Sequence, residues 1–150
     1  MTAILRPGAL DGVSVACADA AIGARLRELG AAPGDGVLVH VAPDPADADG
    51  VRAALDGAWD AIRAGALPPA ATDRLIVLIA PPPGTAHRAA ARAGLENLAR
   101  TLSIEWSRYA VRPVAILPGE RTTSAELAEL VAFLASRAGA YYAGCAFTLR

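Results

Sequence analysis

The chain has 150 residues, 54% of them apolar, and a formal net charge of -1 at neutral pH. This length suits one domain over residues 1–150 that buries a core without disulfides or metals. The charge, with no basic cluster, argues against a nucleic-acid partner, and no apolar run approaches the roughly 20 residues that span a bilayer. The first residues lack the apolar core of a signal peptide, so we expect a cytoplasmic protein.

All 14 basic residues are arginine, and the sequence contains no lysine. An arginine keeps its proton at neutral pH, since the pKa of a guanidinium is above about 12. The composition therefore excludes every catalytic mechanism that requires a lysine side chain.

Apolar residues alternate or recur at helical spacing along the whole chain. Strands are predicted at 13–17, 37–41, 75–80, 111–117 and 146–149. Helices are predicted at 22–29, 51–62, 86–109 and 124–137, the first ended by Gly30 and the last opened by a capping box from Thr123 to Glu126. This alternation predicts an α/β fold with a parallel sheet of about five strands and helices on both faces. Ligands of such sheets bind beyond the carboxyl ends of the strands.

Several stretches of the second half occur in the order of a known family: IVLIA (76–80), RAGLENLARTLSIEW (92–106), VRPVAILPG (111–119), Thr123 and FLASRAGAYYAG (133–144). They resemble the short-chain dehydrogenase/reductase family, and in particular proteins similar to 3-oxoacyl-ACP reductases. The first half, at 10–31 and 37–43, resembles the opening strand, turn and helix and a later strand of the same family. The resemblance implies a truncated Rossmann-like domain that lacks the family's second and third strands.

The family's redox chemistry uses a tyrosine, a lysine four residues later, and a serine. By the resemblance, these positions hold Arg88, Arg92 and Pro81 in this chain. Arginine cannot donate and recover a proton near neutral pH, and proline has no side-chain donor. We therefore predict no catalytic residues at these positions, and an enzyme is not the favoured interpretation.

The family binds NAD or NADP through a glycine-rich turn that leads into the first helix. Here the turn keeps one glycine, Gly23, and carries a negative charge at Asp19. By the resemblance, Pro118, Gly119 and Thr123 match positions that face the nicotinamide, but we favour the interpretation that they form a strand-ending turn and a helix cap. We expect no cofactor, with NADP or NAD bound only if the site is retained, and no metal site, because His40 and His87 stand alone.

Arg88 and Arg92 lie at i and i+4 and share one face of the predicted helix. They either hold a phosphate or carboxylate between two guanidinium groups, or form a solvated or salt-bridged face, which we favour.

In the family, the helices that match 51–64 and 86–109 pair across a two-fold axis. The predicted interface residues are Trp59, Ile62, Ala90, Gly94, Leu95, Leu98, Leu102 and Trp106. The resemblance therefore implies a non-catalytic subunit that assembles with itself or with a full-length, catalytically complete paralogue. The alternative is a residual NAD(P)-dependent oxidoreductase, or a domain that binds a small anionic ligand in the former active-site cleft.

Overall fold

A computed structural model describes residues 5–65 and 73–150, which form one parallel sheet with helices on both faces. The strands are β1 (Ser14–Cys17), β2 (Ala32–Pro33), β3 (Val37–Val41), β4 (Leu75–Ile79), β5 (Arg112–Leu117) and β6 (Ala146–Thr148). The helices are α1 (Ala20–Glu28), α2 (Ala48–Gly65), α3 (Ala86–Glu105) and α4 (Ser124–Ala135). The sheet order is β2-β1-β3-β4-β5-β6. Within these residues, no helix is both long enough and apolar enough to cross a bilayer.

The predicted fold class is confirmed, and the structure adds one strand to the five that the sequence predicts. This strand, β2, has two residues and pairs with β1 at the edge of the sheet. Its sequence, Ala32-Pro33, has no apolar alternation and includes a residue without a backbone N–H, so pattern reasoning misses it.

Apolar side chains fill both faces of the sheet, which explains the continuous apolar sequence of β4. All five residues of β4 are buried. One core lies between the sheet and helices α1 and α4, and a second lies between the sheet and helices α2 and α3. The high apolar fraction of the chain is therefore used largely within its own two-sided core.

The helix ends follow from local sequence signals at two of the predicted places. After α1, Gly30 has a φ of +104°, and the N–H of Ala31 donates to the carbonyl of Leu26 at 3.0 Å. This arrangement is a Schellman motif, which requires a residue that tolerates positive φ. At the start of α4, the predicted capping box of Thr123 and Glu126 is present with both hydrogen bonds.

The third helix is shorter than the sequence predicts. It ends at Glu105 rather than near Tyr109, and a single 3-10 turn covers Ser107–Tyr109. Ala110 then adopts a φ of +56° before β5 begins. The apolar stripe continues through this turn, so spacing alone does not reveal where the α-helix stops.

The turn after α4 passes close to the last residues of that helix and accepts a hydrogen bond from β5. Gly139 accepts a hydrogen bond from Nη1 of Arg112 at 3.0 Å. A Cβ atom at Gly139 would lie 2.3 Å from the carbonyl oxygen of Leu134 and 2.6 Å from its carbonyl carbon. Backbone atoms cannot yield as a flexible side chain can, so only glycine fits here.

We predict that Gly139→Ala lowers the free energy of unfolding by about 1–3 kcal/mol, the usual cost of overpacking. Urea unfolding followed by circular dichroism measures this change. The matched control is Gly57→Ala, because a Cβ at Gly57 meets nothing closer than Cε1 of His40 at 3.9 Å. The control should be neutral or stabilise the chain by up to about 1 kcal/mol. Equal effects of the two substitutions would contradict the packing described here.

His40 lies on β3 and packs against α2 near Gly57. In the described part of the chain its Nε2 atom is buried and has no hydrogen-bond partner. Burial disfavours the charged imidazolium, so the pKa of His40 is lowered from its ordinary value. The unfolded chain therefore binds a proton at His40 more readily than the folded chain does.

We predict that stability decreases as the pH falls below about 6.5, the ordinary pKa of histidine, because protonation then favours the unfolded state. Urea midpoints at about pH 7.5 and about pH 5.5 measure this loss, which His40→Leu should reduce. The pKa values of Asp44 and Glu126 are lowered, so these carboxyl groups take up protons and change stability only at more acidic pH. If His40→Leu leaves the difference between the two midpoints unchanged, His40 does not cause it.

Candidate active-site cleft

A cleft of about 250 Å³ lies at the carboxyl edge of the sheet, where the sequence places the ligand site. Its walls come from the ends of β3, β4 and β5 and from the first residues of α1 and α4. Cavities that hold drug-sized ligands have volumes of about 300–1,000 Å³. The cleft is therefore somewhat smaller than the cavities of that range.

Three carboxylates, those of Asp19, Asp44 and Glu120, lie among the lining residues of the cleft. The cleft also contains Pro81 and the turn of Pro118 and Gly119. Acidic side chains therefore form part of the cleft wall.

Arg92, in the position that matches the family's lysine, connects the two loops that follow β4 and β5. Its Nη1 atom donates to the carbonyl of Pro81 at 2.7 Å and to the carbonyl of Pro118 at 2.8 Å. The guanidinium is partly buried, and burial lowers its pKa. One side chain therefore holds together the loops at the end of two neighbouring strands.

Arg88, in the position that matches the family's tyrosine, forms a two-point ion pair with Asp44. Its Nε atom donates to Oδ1 of Asp44 at 2.7 Å, and its Nη2 atom donates to Oδ2. Nη1 donates to the carbonyl of Pro83 at 3.2 Å. This ion pair lowers the pKa of Asp44. Arg88 and Arg92 therefore contact different partners and do not form one shared anion site.

The turn before α1 is closed by its own carboxylate. Oδ1 of Asp19 accepts a hydrogen bond from the backbone N–H of Ile22 at 2.8 Å. In the family's fold this helix N-terminus is where a pyrophosphate would bind. Gly23 is buried in α1, where a Cβ would lie 3.7 Å from the carbonyl oxygen of Cys17. A Cβ at this distance makes an ordinary van der Waals contact, so the packing of α1 on β1 does not require a glycine here.

The turn after β5 is also engaged in contacts within the chain. The backbone N–H of Gly119 donates to Oγ1 of Thr122 at 2.8 Å. A Cβ at Gly119 would lie 2.7 Å from the carbonyl carbon of Arg150, so this glycine allows the chain to pass closely over the turn. The hydroxyl of Thr123 caps α4. Of the positions predicted to face a nicotinamide, Pro118 and Gly119 line the cleft, and Thr123 forms a helix cap.

The predicted interface residues divide into two groups. Ile62, Leu95 and Leu102 are at most 2% exposed and lie in the chain's own core against the sheet, so they are not on a surface. A Cβ at Gly94 would lie 2.7 Å from Cδ2 of Leu55, so Gly94 permits the contact between α3 and α2. An amphipathic stripe does not tell whether it faces a sheet or a partner.

The remaining four interface residues, Trp59, Ala90, Leu98 and Trp106, are exposed or partly buried. Trp59 is 37% exposed, and its ring lies 6.3 Å from that of Trp106. We call these four residues the outer residues of the predicted interface.

Sequence reasoning missed two polar partners. Asp44 lies 44 residues from Arg88, and Glu129 lies 104 residues from Arg25, whose Nη2 donates to it at 2.7 Å. Glu129 is only 9% exposed and also accepts from the N–H of Leu5. For the pair of Arg88 and Asp44, the sequence offers only the turn residues around Asp44. For the pair of Arg25 and Glu129, it offers an acidic residue within the apolar face of α4. In the described ranges no cluster of three His, Cys, Asp or Glu side chains could hold a metal ion.

Comparison with known proteins gives one relative by sequence. A stretch of 46 residues is 54% identical to a probable 2,4-dienoyl-CoA reductase of Bacillus subtilis. That stretch is 29% of this chain and 18% of the reductase. No family profile matches the chain.

Solved structures resemble the chain over a much greater length. A citronellol catabolism dehydrogenase of Pseudomonas aeruginosa has a TM-score of 0.76 and 20% identity over 98% of this chain and 97% of that one. An oxidoreductase of the short-chain dehydrogenase/reductase family from Burkholderia thailandensis has a TM-score of 0.60 and 21% identity over 85% of this chain and 66% of that one. The chain thus spans about two thirds of the second protein.

The fold is shared with these dehydrogenases, and the 46-residue stretch adds a likeness in sequence to a reductase. The predicted resemblance is confirmed at the level of the fold: this chain has the Rossmann-like α/β fold of these dehydrogenases.

Proposed function

We propose that the chain is a non-catalytic relative of the short-chain dehydrogenases/reductases that acts by assembling with itself or with a catalytically complete member of the family. The observation that carries this proposal is the position of Arg92. Both N–H groups of its Nη1 atom are engaged by the carbonyls of Pro81 and Pro118. A side chain with this role stabilises the loops and has no proton to exchange near neutral pH.

The other two matched positions support the same conclusion. All three nitrogens of the Arg88 guanidinium donate hydrogen bonds to Asp44 and Pro83. Pro81 contributes a backbone carbonyl and no hydroxyl. General acid–base catalysis needs a group with a pKa near the working pH, and none of these three residues has one.

The geometry at the start of α1 argues against a dinucleotide in the family's usual place. Asp19 already accepts the N–H of Ile22, so a pyrophosphate would have to displace a carboxylate of the same charge sign. Glu120 adds a further carboxylate to the cleft. These residues do not fit the phosphate groups of NAD or NADP, and we derive no step of the chemistry through either cofactor.

The outer residues of the predicted interface support the assembly part of the proposal. They are the paired rings of Trp59 and Trp106, the partly buried Leu98 and the exposed Ala90. Aromatic residues are enriched in the buried centres of protein interfaces, and a small side chain on a helix surface allows a second helix to approach closely. These contacts would use apolar area that the chain's own core leaves uncovered.

Ala90→Glu tests the assembly. The substitution adds a charge to an exposed helical position, where it should not alter folding. We predict that it raises the dissociation constant of the oligomer at least tenfold, because the interface would bury the charge without a partner. Sedimentation velocity over a range of concentrations measures this, with the chain alone and with a full-length reductase of the family added.

The control is Tyr141→Glu, which adds the same charge at a large side chain that is 93% exposed and lies in the turn after α4. It should leave assembly unchanged. A chain that stays monomeric both alone and with the reductase would refute the assembly proposal, as would an Ala90→Glu variant that assembles like the unsubstituted chain.

A further inference from the structure

The carboxylate of Asp44 contacts Arg88 in the way that the carboxylate of a ligand would. Two adjacent nitrogens of one edge of the guanidinium, Nε and Nη2, each donate to a different oxygen of the carboxylate. This planar two-point contact is how arginine binds carboxylate and phosphate groups in ligands. Asp44 reaches Arg88 from another loop, 44 residues away in the sequence.

Arg88 is held in place by contacts other than Asp44. Its Nη1 atom donates to the carbonyl of Pro83. Gly84 has a φ of +146°, and a Cβ there would lie 3.1 Å from Nη1 of Arg88, so the glycine leaves room for the guanidinium. The donor edge formed by Nε and Nη2 is therefore positioned before any anion binds, which reduces the entropy cost of binding.

The surroundings of Arg88 also favour a negative charge. Arg88 lies in the first turn of α3, a helix of 20 residues, and that turn contains no acidic residue. The N-terminal end of a helix carries partial positive charge, and here Asp44 is the acidic side chain that pairs with Arg88 in its first turn.

The pair is open to exchange with solvent. The side chains of Arg88 and Asp44 are 29% and 52% exposed, respectively. Exposed ion pairs are weak, so an external anion can compete with the carboxylate. Asp44 also lines the cleft, so its displacement would alter the cleft wall.

We propose that Arg88 is a binding site for an oxyanion, a carboxylate or a phosphate group, and that Asp44 is an internal competitor that closes the site. An anion that binds Arg88 releases the loop between β3 and α2 from α3 and opens the cleft at Asp44. This inference goes beyond the proposed assembly function and does not depend on it.

The test is a titration of the folded chain with inorganic phosphate at constant ionic strength, followed by the ¹⁵N–¹H signal of the Arg88 Nε–H group, which is assigned by its loss in Arg88→Met. If Asp44 occupies the site in about nine of ten molecules, its removal strengthens apparent affinity about tenfold. We therefore expect Asp44→Asn to bind phosphate about tenfold more tightly than the unsubstituted chain. Asp44→Ser provides a second variant if Asp44→Asn fails to fold.

The matched control is Asp35→Asn, which frees Arg74 from a comparable inter-loop pair with one contact of 3.0 Å. It should not change phosphate binding at Arg88. Asp44→Asn combined with Arg88→Met should abolish this binding, which is measured by calorimetry because the double variant has no Nε–H signal. A parallel titration with acetate identifies the ligand class: a response to acetate indicates a carboxylate ligand, and a response to phosphate alone indicates a phosphate ligand. The proposal is overturned if Asp44→Asn binds neither anion more tightly than the unsubstituted chain does.

Discussion

The contact on which the carboxyl edge of the sheet depends is the one between Arg92 and two backbone carbonyls. The loops after β4 and β5 leave the sheet side by side, and their carbonyls at Pro81 and Pro118 point toward the same guanidinium nitrogen. Hydrogen bonds from a charged donor contribute about 1.5–3 kcal/mol each, more than neutral ones. Loss of the side chain would leave two carbonyls without their partner. This loss is costly because the hydrogen bonds are partly buried.

The same principle extends around the cleft: groups that could bind a ligand bind other parts of the chain. Asp19 closes the N-terminus of α1, Thr123 and Glu126 close that of α4, and Asp44 closes the donor edge of Arg88. Each contact satisfies a polar group that a helix end or an arginine would otherwise present to a ligand. Dehydrogenases and oxidoreductases are among the solved structures that share this fold. In this chain, contacts between its own residues stabilise the carboxyl edge of the sheet.

Much of the fold could be predicted from the sequence because apolar spacing, capping residues and Gly30 act locally. Strand β2 could not, since two residues that include Pro33 carry no pattern. The partner of Arg88 could not be predicted either, because contacts across 44 residues depend on the assembled sheet. The interface prediction does not hold for Ile62, Leu95 and Leu102, which face the sheet. A stripe of apolar residues has the same spacing whether a sheet or a partner covers it.

Arg92 joins the loops after β4 and β5, and we propose that it stabilises the structure and does not bind a cofactor. The most direct test is Arg92→Met, for which the free energy of unfolding and the binding of NADPH are both measured. We expect the substitution to lower the free energy of unfolding by about 2–4 kcal/mol, because two carbonyls lose a charged donor. Tryptophan fluorescence should detect no micromolar binding of NADPH with or without the substitution. Unchanged stability, together with NADPH binding that is lost in the variant, would contradict the claim.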